Sequence, residues 1–356
     1  MNKQCYAERR EQVRRRMREA GFDALLVSHA ANRYYLSGFE LHDCQCNESS
    51  GRLIIMADGN DWLCTDARYL GTAQSLWDNN HIFIYGGNAA QAIGSLLKKI
   101  AKGKVGIESC CISLQFYHAL CAEIAVEAAD GLIEEQRLIK DADEIAALER
   151  SFAINHALMQ WIPQQCTVGK SEKALSWEIE KFFREQGADE LAFANIVAVG
   201  KNGALPHAIP SEAVVTDNCP VLVDVGCRAG GYCSDQTRSF WVGNSPSPEF
   251  ERTLALVQEA QQAAMAIMRP NVPMRDAYHA ARAVFEKAGV AHYFTHGLGH
   301  GVGLETHEAP SLNPRSQGIL RQGMVVTVEP GLYYPEWGGV RWEYTVLITE
   351  DGVRIL

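Results

Sequence analysis

Residues 1–137 predict an α/β domain and residues 138–356 an α+β domain, each with its own core. Three observations lead there. The length of 356 residues exceeds what one small core needs and suits two domains of ordinary size. The first part alternates helical and strand periodicities. Near Leu138 the pattern changes to two helices, followed by strands that carry acids inside apolar runs.

Residues 7–20 read as a helix with Val13, Met17 and Ala20 on its apolar face. Arg9, Arg10, Arg14, Arg15, Arg16 and Arg18 then form a solvated surface. Residues 23–28 read as a short buried strand, 52–56 and 62–65 as a hairpin, and 81–85 as a strand. A helix over 89–101 and a strand over 104–107 complete the first domain. Asp141-Ala-Asp-Glu144 is a capping-box pattern, with Ile145, Leu148 and Phe152 lining one face of the helix it starts. Ser171 begins a second helix striped by Leu175, Ile179, Phe182 and Phe183. From Pro220 the chain reads as strands, interrupted by helices over 248–268 and 274–288.

Composition excludes several classes. Hydrophobic residues make up 47% and charged residues 21%, the mix of a soluble globular protein. A net charge of −10 argues against a nucleic-acid partner. No stretch has the length of a membrane span, and no apolar run follows the N-terminal charges as in a signal peptide. The eleven cysteines are odd in number and scattered, as reduced thiols in the cytoplasm would be. Cys44-Gln-Cys46 is too short to define a metal site.

The informative residues are acids placed where apolar residues belong. Asp224 lies in Val221-Leu-Val-Asp-Val225, Glu329 in Met324-Val-Val-Thr-Val-Glu-Pro330, and Glu343 in Val340-Arg-Trp-Glu-Tyr-Thr-Val-Leu-Ile348. Asp235 lies on the return strand of a hairpin turned at Arg228-Ala-Gly-Gly231, so it comes near Asp224. A buried carboxylate needs a cation, a proton or several hydrogen bonds. For one such acid a salt bridge suffices. Four in one domain exceed what Arg341 balances and point to a pair of divalent cations. The segment His296-Gly-Leu-Gly-His300-Gly-Val-Gly-Leu-Glu-Thr-His307 adds imidazoles. Its interleaved glycines oppose a helix, so an extended strand is expected, with His296 and His300 on one face.

These residues resemble the pita-bread metallopeptidases: prolidase, Xaa-Pro aminopeptidase, methionine aminopeptidase and creatinase. The resemblance is strongest in the C-terminal half, where five positions recur in order. It implies a pita-bread fold for the α+β domain. It also implies metal ligation by Asp224 in Val-Asp-Val-Gly, Asp235 in Ser-Asp-Gln-Thr-Arg, and His300 in Gly-His-Gly-Val-Gly. Glu329 in Val-Glu-Pro-Gly and Glu343 in Val-Arg-Trp-Glu complete the set. His207, His296 and His307 match the family's outer histidines, which the resemblance implies surround the substrate and help stabilise the tetrahedral intermediate, and Arg341 matches its arginine beside the last ligand, implied to be catalytic as well. The linker at Leu138-Ile-Lys-Asp and the segment Asn32-Arg-Tyr-Tyr-Leu-Ser-Gly-Phe39 resemble the proline-specific branch.

What the resemblance implies is hydrolysis of the bond preceding proline in short peptides. Two divalent ions, Mn or Co first and Zn or Fe as alternatives, would share a water and lower its pKa. Glu329 is the implied proton shuttle, and His307 with His207 the implied donors to the developing oxyanion. A homodimer is implied as well. Methionine aminopeptidase usually lacks the first domain, and creatinase-like enzymes have lost ligands that this chain keeps. A different small amide substrate, or a catalytically silent binding module, is the alternative. One departure is plain: Arg341-Trp-Glu-Tyr344 stands where the family commonly has Arg-Ile-Glu-Asp. Alternation puts Trp342 and Tyr344 behind the strand, so the ligand survives while its surroundings change.

Overall fold

The computed structural model describes residues 3–43, 45 and 48–356, and Cys44 and Cys46 lie outside the described residues. The chain divides into two compact units, Met1–Arg137 and Leu138–Leu356.

The first unit is built on one six-stranded sheet. Its strands are β1 (Phe22–Val27), β2 (Gly51–Met56), β3 (Trp62–Thr65), β4 (Ile82–Ile84), β5 (Lys104–Ile107) and β6 (Glu127–Ala128), in the order β4-β3-β2-β1-β5-β6. β1, β2 and β3 pair antiparallel, while β4, β5 and β6 join in parallel. Helices α1 (Lys3–Glu19), α2 (Ala30–Ser37), α3 (Leu70–Leu76), α4 (Ala89–Ile100), α5 (Leu114–Cys121) and α6 (Glu134–Arg137) complete it. Ile93 and Leu97 of α4 pack against Leu26, Ile54 and Val105, the burial that an amphipathic helix over apolar strands provides.

Arg9, Arg10 and Arg14 of α1 depart from the expectation of a solvated surface, while Arg15 and Arg18 are exposed as expected. Arg9 is buried with its guanidinium 4.0 Å from the Tyr35 ring centroid. Arg9 and Arg10 donate to the carbonyls of Tyr35 and Leu36, near the C-terminal end of α2, where the helix dipole favours cations. Arg14 pairs with buried Asp61 at 2.8 Å. Val13 and Met17 are buried as expected, but Ala20 is exposed because the helix ends at Glu19. Long aliphatic stems let these arginines cover apolar surface while their heads find acceptors.

The second unit opens with α7 (Ala142–Gln165) and α8 (Glu172–Glu185). Asp141 and Glu144 form the reciprocal capping box, and Ser171 caps α8. Leu148, Phe152, Leu175, Ile179 and Phe183 are buried, while Ile145 and Phe182 are half-buried. The strands that follow are β7 (Glu190–Leu191), β8 (Ile196–Val199), β9 (Cys219–Val225), β10 (Cys227–Ala229), β11 (Tyr232–Cys233) and β12 (Gln236–Val242). Two helices come next, α9 (Pro248–Ile267) and α10 (Met274–Lys287). The last strands are β13 (Gly299–Gly301), β14 (Glu308–Leu312), β15 (Val325–Val328), β16 (Gly331–Tyr334), β17 (Gly338–Arg341), β18 (Tyr344–Ile348) and β19 (Val353–Ile355).

They form sheets β12-β9-β8, β11-β10-β7, β14-β13-β15-β18-β19 and β16-β17. α7 and α8 cover β8 and β9 through Leu158, Leu175, Phe183, Val197 and Val223. α9 and α10 cover the five-stranded sheet through Val257, Phe285, Val326 and Val346. The expected extended run through His296 is shorter than predicted. Only Gly299–Gly301 is strand, and His296 precedes it in a bend. Cys64, Cys110, Cys111, Cys121, Cys166, Cys219, Cys227 and Cys233 form no disulfide, and no helix of the described residues is long and apolar enough to cross a membrane.

Candidate metal centre

β9 is a near-continuous apolar strand with one acid, Asp224, opposite Thr237 of β12. After Val225 the chain leaves this pairing and turns through the small hairpin β10–β11 at Gly230 and Gly231 (φ 60° and 86°), a backbone shape glycine adopts without strain. It re-enters through Asp235, immediately before β12. Glu343 arrives from the junction of β17 and β18, where its N–H donates to the Thr237 carbonyl at 3.2 Å. Asp224, Asp235 and Glu343 are all buried, and an oxygen from each lies within 4.8 Å of the other two.

His300 and Glu329 extend this group. His300 Nε2 is 3.2 Å from Glu329 Oε1 and 3.6 Å from Asp235 Oδ2. Thr327 aligns both, accepting from the His300 N–H and donating to Glu329 Oε1, each at 3.0 Å. Gly299 and Gly301 flank the imidazole because a Cβ at either position would strike backbone carbonyls, of Thr327 and Ala309 respectively.

The electrostatics show a surplus of negative charge. Burial, then the charges of Glu343, Asp224 and Glu329, push the Asp235 carboxyl well above its ordinary pKa. Burial and the neighbouring acids Glu329 and Asp224 lift Glu343 to about 8. Burial also raises Asp224, against the pull of Arg341. Burial would raise Glu329 too, but the bond to His300 holds it at about 2, and in turn Glu329 lifts His300 to about 9 against burial. Asp224 Oδ1 and Glu343 Oε1 are buried without a hydrogen-bond partner. Orphaned, mutually repelling oxygens beside an imidazole are a donor set that fits hard or borderline divalent cations.

Arg341 organises the other side. Its Nη2 donates to Asp224 Oδ2 at 2.6 Å, and its Nε to Thr237 Oγ1 at 3.0 Å, which itself donates to Glu343 Oε2 at 2.8 Å. Its Nη1 donates to the Pro206 carbonyl at 3.1 Å and to Tyr333 Oη at 2.8 Å. Tyr333 Oη lies 2.9 Å from His296 Nε2, while His296 Nδ1 faces the Gly297 carbonyl at 2.7 Å. Those partners assign the proton to Nδ1, so Tyr333 donates to Nε2. Burial lowers the pKa of His296, which favours this neutral form.

A cavity of about 610 Å³ opens over the group. His207, Asp224, Asp235, His296, His300, His307, Glu329 and Arg341 line it, and Glu343 lies behind them with the other acids. The His307 ring lies tilted at 54° against that of His300, with centroids 4.1 Å apart. The lining also includes the apolar residues Phe193, Ile196, Pro206 and Ile209.

Comparison with known proteins gives the family. The profile of metallopeptidase family M24 matches residues 146–350, and that of the creatinase/prolidase N-terminal domain matches residues 9–139. The chain belongs to metallopeptidase family M24. It is a peptidase with the two-domain pita-bread fold, and membership implies divalent metal ions. An uncharacterized peptidase of Bacillus subtilis is 34% identical over 97% of this M24 chain and 96% of its own length. The Xaa-Pro dipeptidase from Bacillus anthracis superposes with a TM-score of 0.91 at 34% identity, covering 98% of this chain and 97% of its own. The X-Pro aminopeptidase from Thermotoga maritima superposes with a TM-score of 0.82 at 30% identity, covering 94% of each chain.

Sequence reasoning missed Tyr333, Thr237 and Thr327. Thr237 was legible in part, since hairpin register sets it across from Asp224. Trp342 and Tyr344 sandwich the Arg238 guanidinium, 4.4 and 4.5 Å from their ring centroids. Arg238 also donates to the Glu343 carbonyl at 2.5 Å, so these aromatics steady the strand junction that carries Glu343.

Proposed function

We propose that this M24 peptidase hydrolyses the bond preceding proline in short peptides, as an Xaa-Pro dipeptidase or aminopeptidase. Asp224, Asp235, His300, Glu329 and Glu343 would hold two divalent ions, Mn or Co first. The observation that carries the reading is the group of buried acids with orphaned oxygens beneath a cavity edged by histidines. The names of the Bacillus anthracis and Thermotoga maritima relatives support the proline specificity.

When bound, divalent ions held by these residues would supply Lewis acidity and lower the pKa of water there toward neutrality. Glu329, half-buried and facing the cavity, takes the proton of the attacking water and returns it to the departing proline nitrogen. His307 and His207 are exposed to the cavity and donate to the carbonyl oxygen as it gains charge. His296 has both ring nitrogens engaged, so it shapes the wall rather than donating to substrate. A proline nitrogen in peptide linkage carries no N–H, and the apolar lining at Phe193, Pro206 and Ile209 suits its ring. By the same family resemblance the protein is a cytoplasmic homodimer, to be checked by light scattering on the eluted species.

The test is hydrolysis of Ala-Pro, Ala-Pro-Ala, Met-Ala-Ser and Ala-Ala by Mn- or Co-loaded protein, before and after chelation. Chelator-sensitive cleavage confined to the proline peptides is expected, and the ratio of dipeptide to tripeptide rates separates the two activities. Cleavage of Met-Ala-Ser or Ala-Ala in preference would overturn the proline assignment. No cleavage with metal demonstrably bound would move the substrate to another small amide.

A further inference from the structure

Glu172 is wholly buried at the start of α8, and no residue of the metal group touches it. Its carboxylate instead closes a loop. Oε1 accepts from the Val199 N–H at 2.7 Å and from Asn202 Nδ2 at 2.9 Å. Oε2 accepts from the Ser211 N–H at 2.8 Å and from Ser211 Oγ at 2.6 Å. The two backbone donors are the two ends of the segment 199–211. That segment carries His207 and the cavity-lining residues Pro206, Ala208, Ile209 and Pro210. Midway along it, Arg341 holds the Pro206 carbonyl at 3.1 Å.

We propose that Glu172 is a positioning residue that fixes His207 and the apolar lining beside it, a role that rests on the peptidase reading above. The physical ground is the number and kind of donors. His207 and Ile209 are exposed, so their own packing does not hold them. A carboxylate is acceptor-only and can satisfy four donors at once. One buried group tying both loop ends restricts the segment between them, adding to the anchor of Ala208, which is buried against Ile196, Ala198 and Leu222. An amide cannot replace it. The Glu172→Gln side chain would bring an NH2 group against at least one donor, and a backbone N–H cannot rotate away to accept.

The experiment compares Glu172→Gln, Ser211→Ala and His207→Ala with wild type in the Mn-loaded full-length chain. Amide hydrogen exchange of residues 199–211 and steady-state cleavage of Ala-Pro-Ala are both measured. In Glu172→Gln, protection of the Val199 and Ser211 amides should fall while bound metal per chain stays at the wild-type level. The turnover number should drop roughly 10-fold to 100-fold, the scale of a misplaced catalytic group. Ser211→Ala, which removes one side-chain donor, should move both readouts in the same direction by less. On the His207→Ala background, Glu172→Gln should cost about threefold or less, since coupled residues are non-additive. Unchanged exchange in Glu172→Gln overturns the proposal, as does an equal loss of turnover with and without His207. Should the wild type cleave no proline peptide, the substrate reading fails, and exchange alone still decides whether Glu172 holds the segment.

Discussion

Lys140 and Glu308 form an enclosed ion pair, Nζ to Oε1 at 2.7 Å, with side chains only 1% and 7% exposed. Glu308 directly follows His307, so the pair pins the strand start from which that imidazole reaches the cavity. Removing one partner strands a charge in a medium that cannot solvate it. Lys140→Met should therefore cost about 3–5 kcal/mol, read from urea denaturation. Adding Glu308→Gln should recover part of that loss. A single-variant cost within about 0.5 kcal/mol, the level of an ordinary surface change, would contradict the enclosed pairing.

Asp235→Asn and Glu343→Gln should act with opposite signs on the metal-free and metal-loaded protein. Burial and mutual repulsion already push both carboxyls up, so neutralising either relieves strain and should raise the melting temperature without metal. Each variant should also lose bound metal by elemental analysis. The stabilisation that metal gives wild type, about 2.7 kcal/mol at a hundredfold excess over Kd, should then disappear. A variant that keeps both full metal content and full rate would refute the ligand assignment.

Tyr333→Phe removes the hydroxyl between Arg341 and His296 and leaves the buried guanidinium and the half-buried imidazole without that partner. Turnover on Ala-Pro-Ala should fall by roughly 10-fold or more, the effect of outer-layer hydrogen bonds on a metal site, with metal content unchanged. Loss of metal together with activity would show that Tyr333 instead supports the ligand layer directly.

Asp43 gives a pH prediction in the first unit. Burial alone would raise its carboxyl, but the paired Arg33 guanidinium, 3.0 and 3.1 Å away, outweighs burial and holds the pKa below its usual value. A depressed folded pKa contributes stability that is fully present above the unfolded value, about 3.9, and is lost as pH falls through the folded one. Thermal unfolding from about pH 6 to about pH 3 should thus show a steeper acid loss in wild type than in Asp43→Asn. Parallel curves would exclude this pair as a source of acid sensitivity.

The elements most legible in the sequence are those whose signals are local. The capping box at Asp141 and Glu144, the Ser171 cap and the strand Lys104–Ile107 depend on neighbours a few residues apart, and they form where the pattern placed them. The arginines of α1 escape such a reading because their acceptors, Tyr35, Leu36 and Asp61, lie 26 to 47 residues on. The strand expected through His296 stops short because pairing, which local pattern does not specify, begins only at Gly299.

The sequence by itself determined which residues stand out chemically: four acids in or beside strands and histidines set among glycines, a pattern whose cost in water-free surroundings calls for a cation, a proton or several hydrogen bonds. Only the tertiary structure decided how they are held. Thr237 linking Arg341 to Glu343, Tyr333 between Arg341 and His296, and Glu172 closing the His207 segment all join residues far apart in the chain. Such partners leave no periodic trace. A hydrogen bond requires two groups at the right distance and angle, and that distance is set by how strands pair and helices pack.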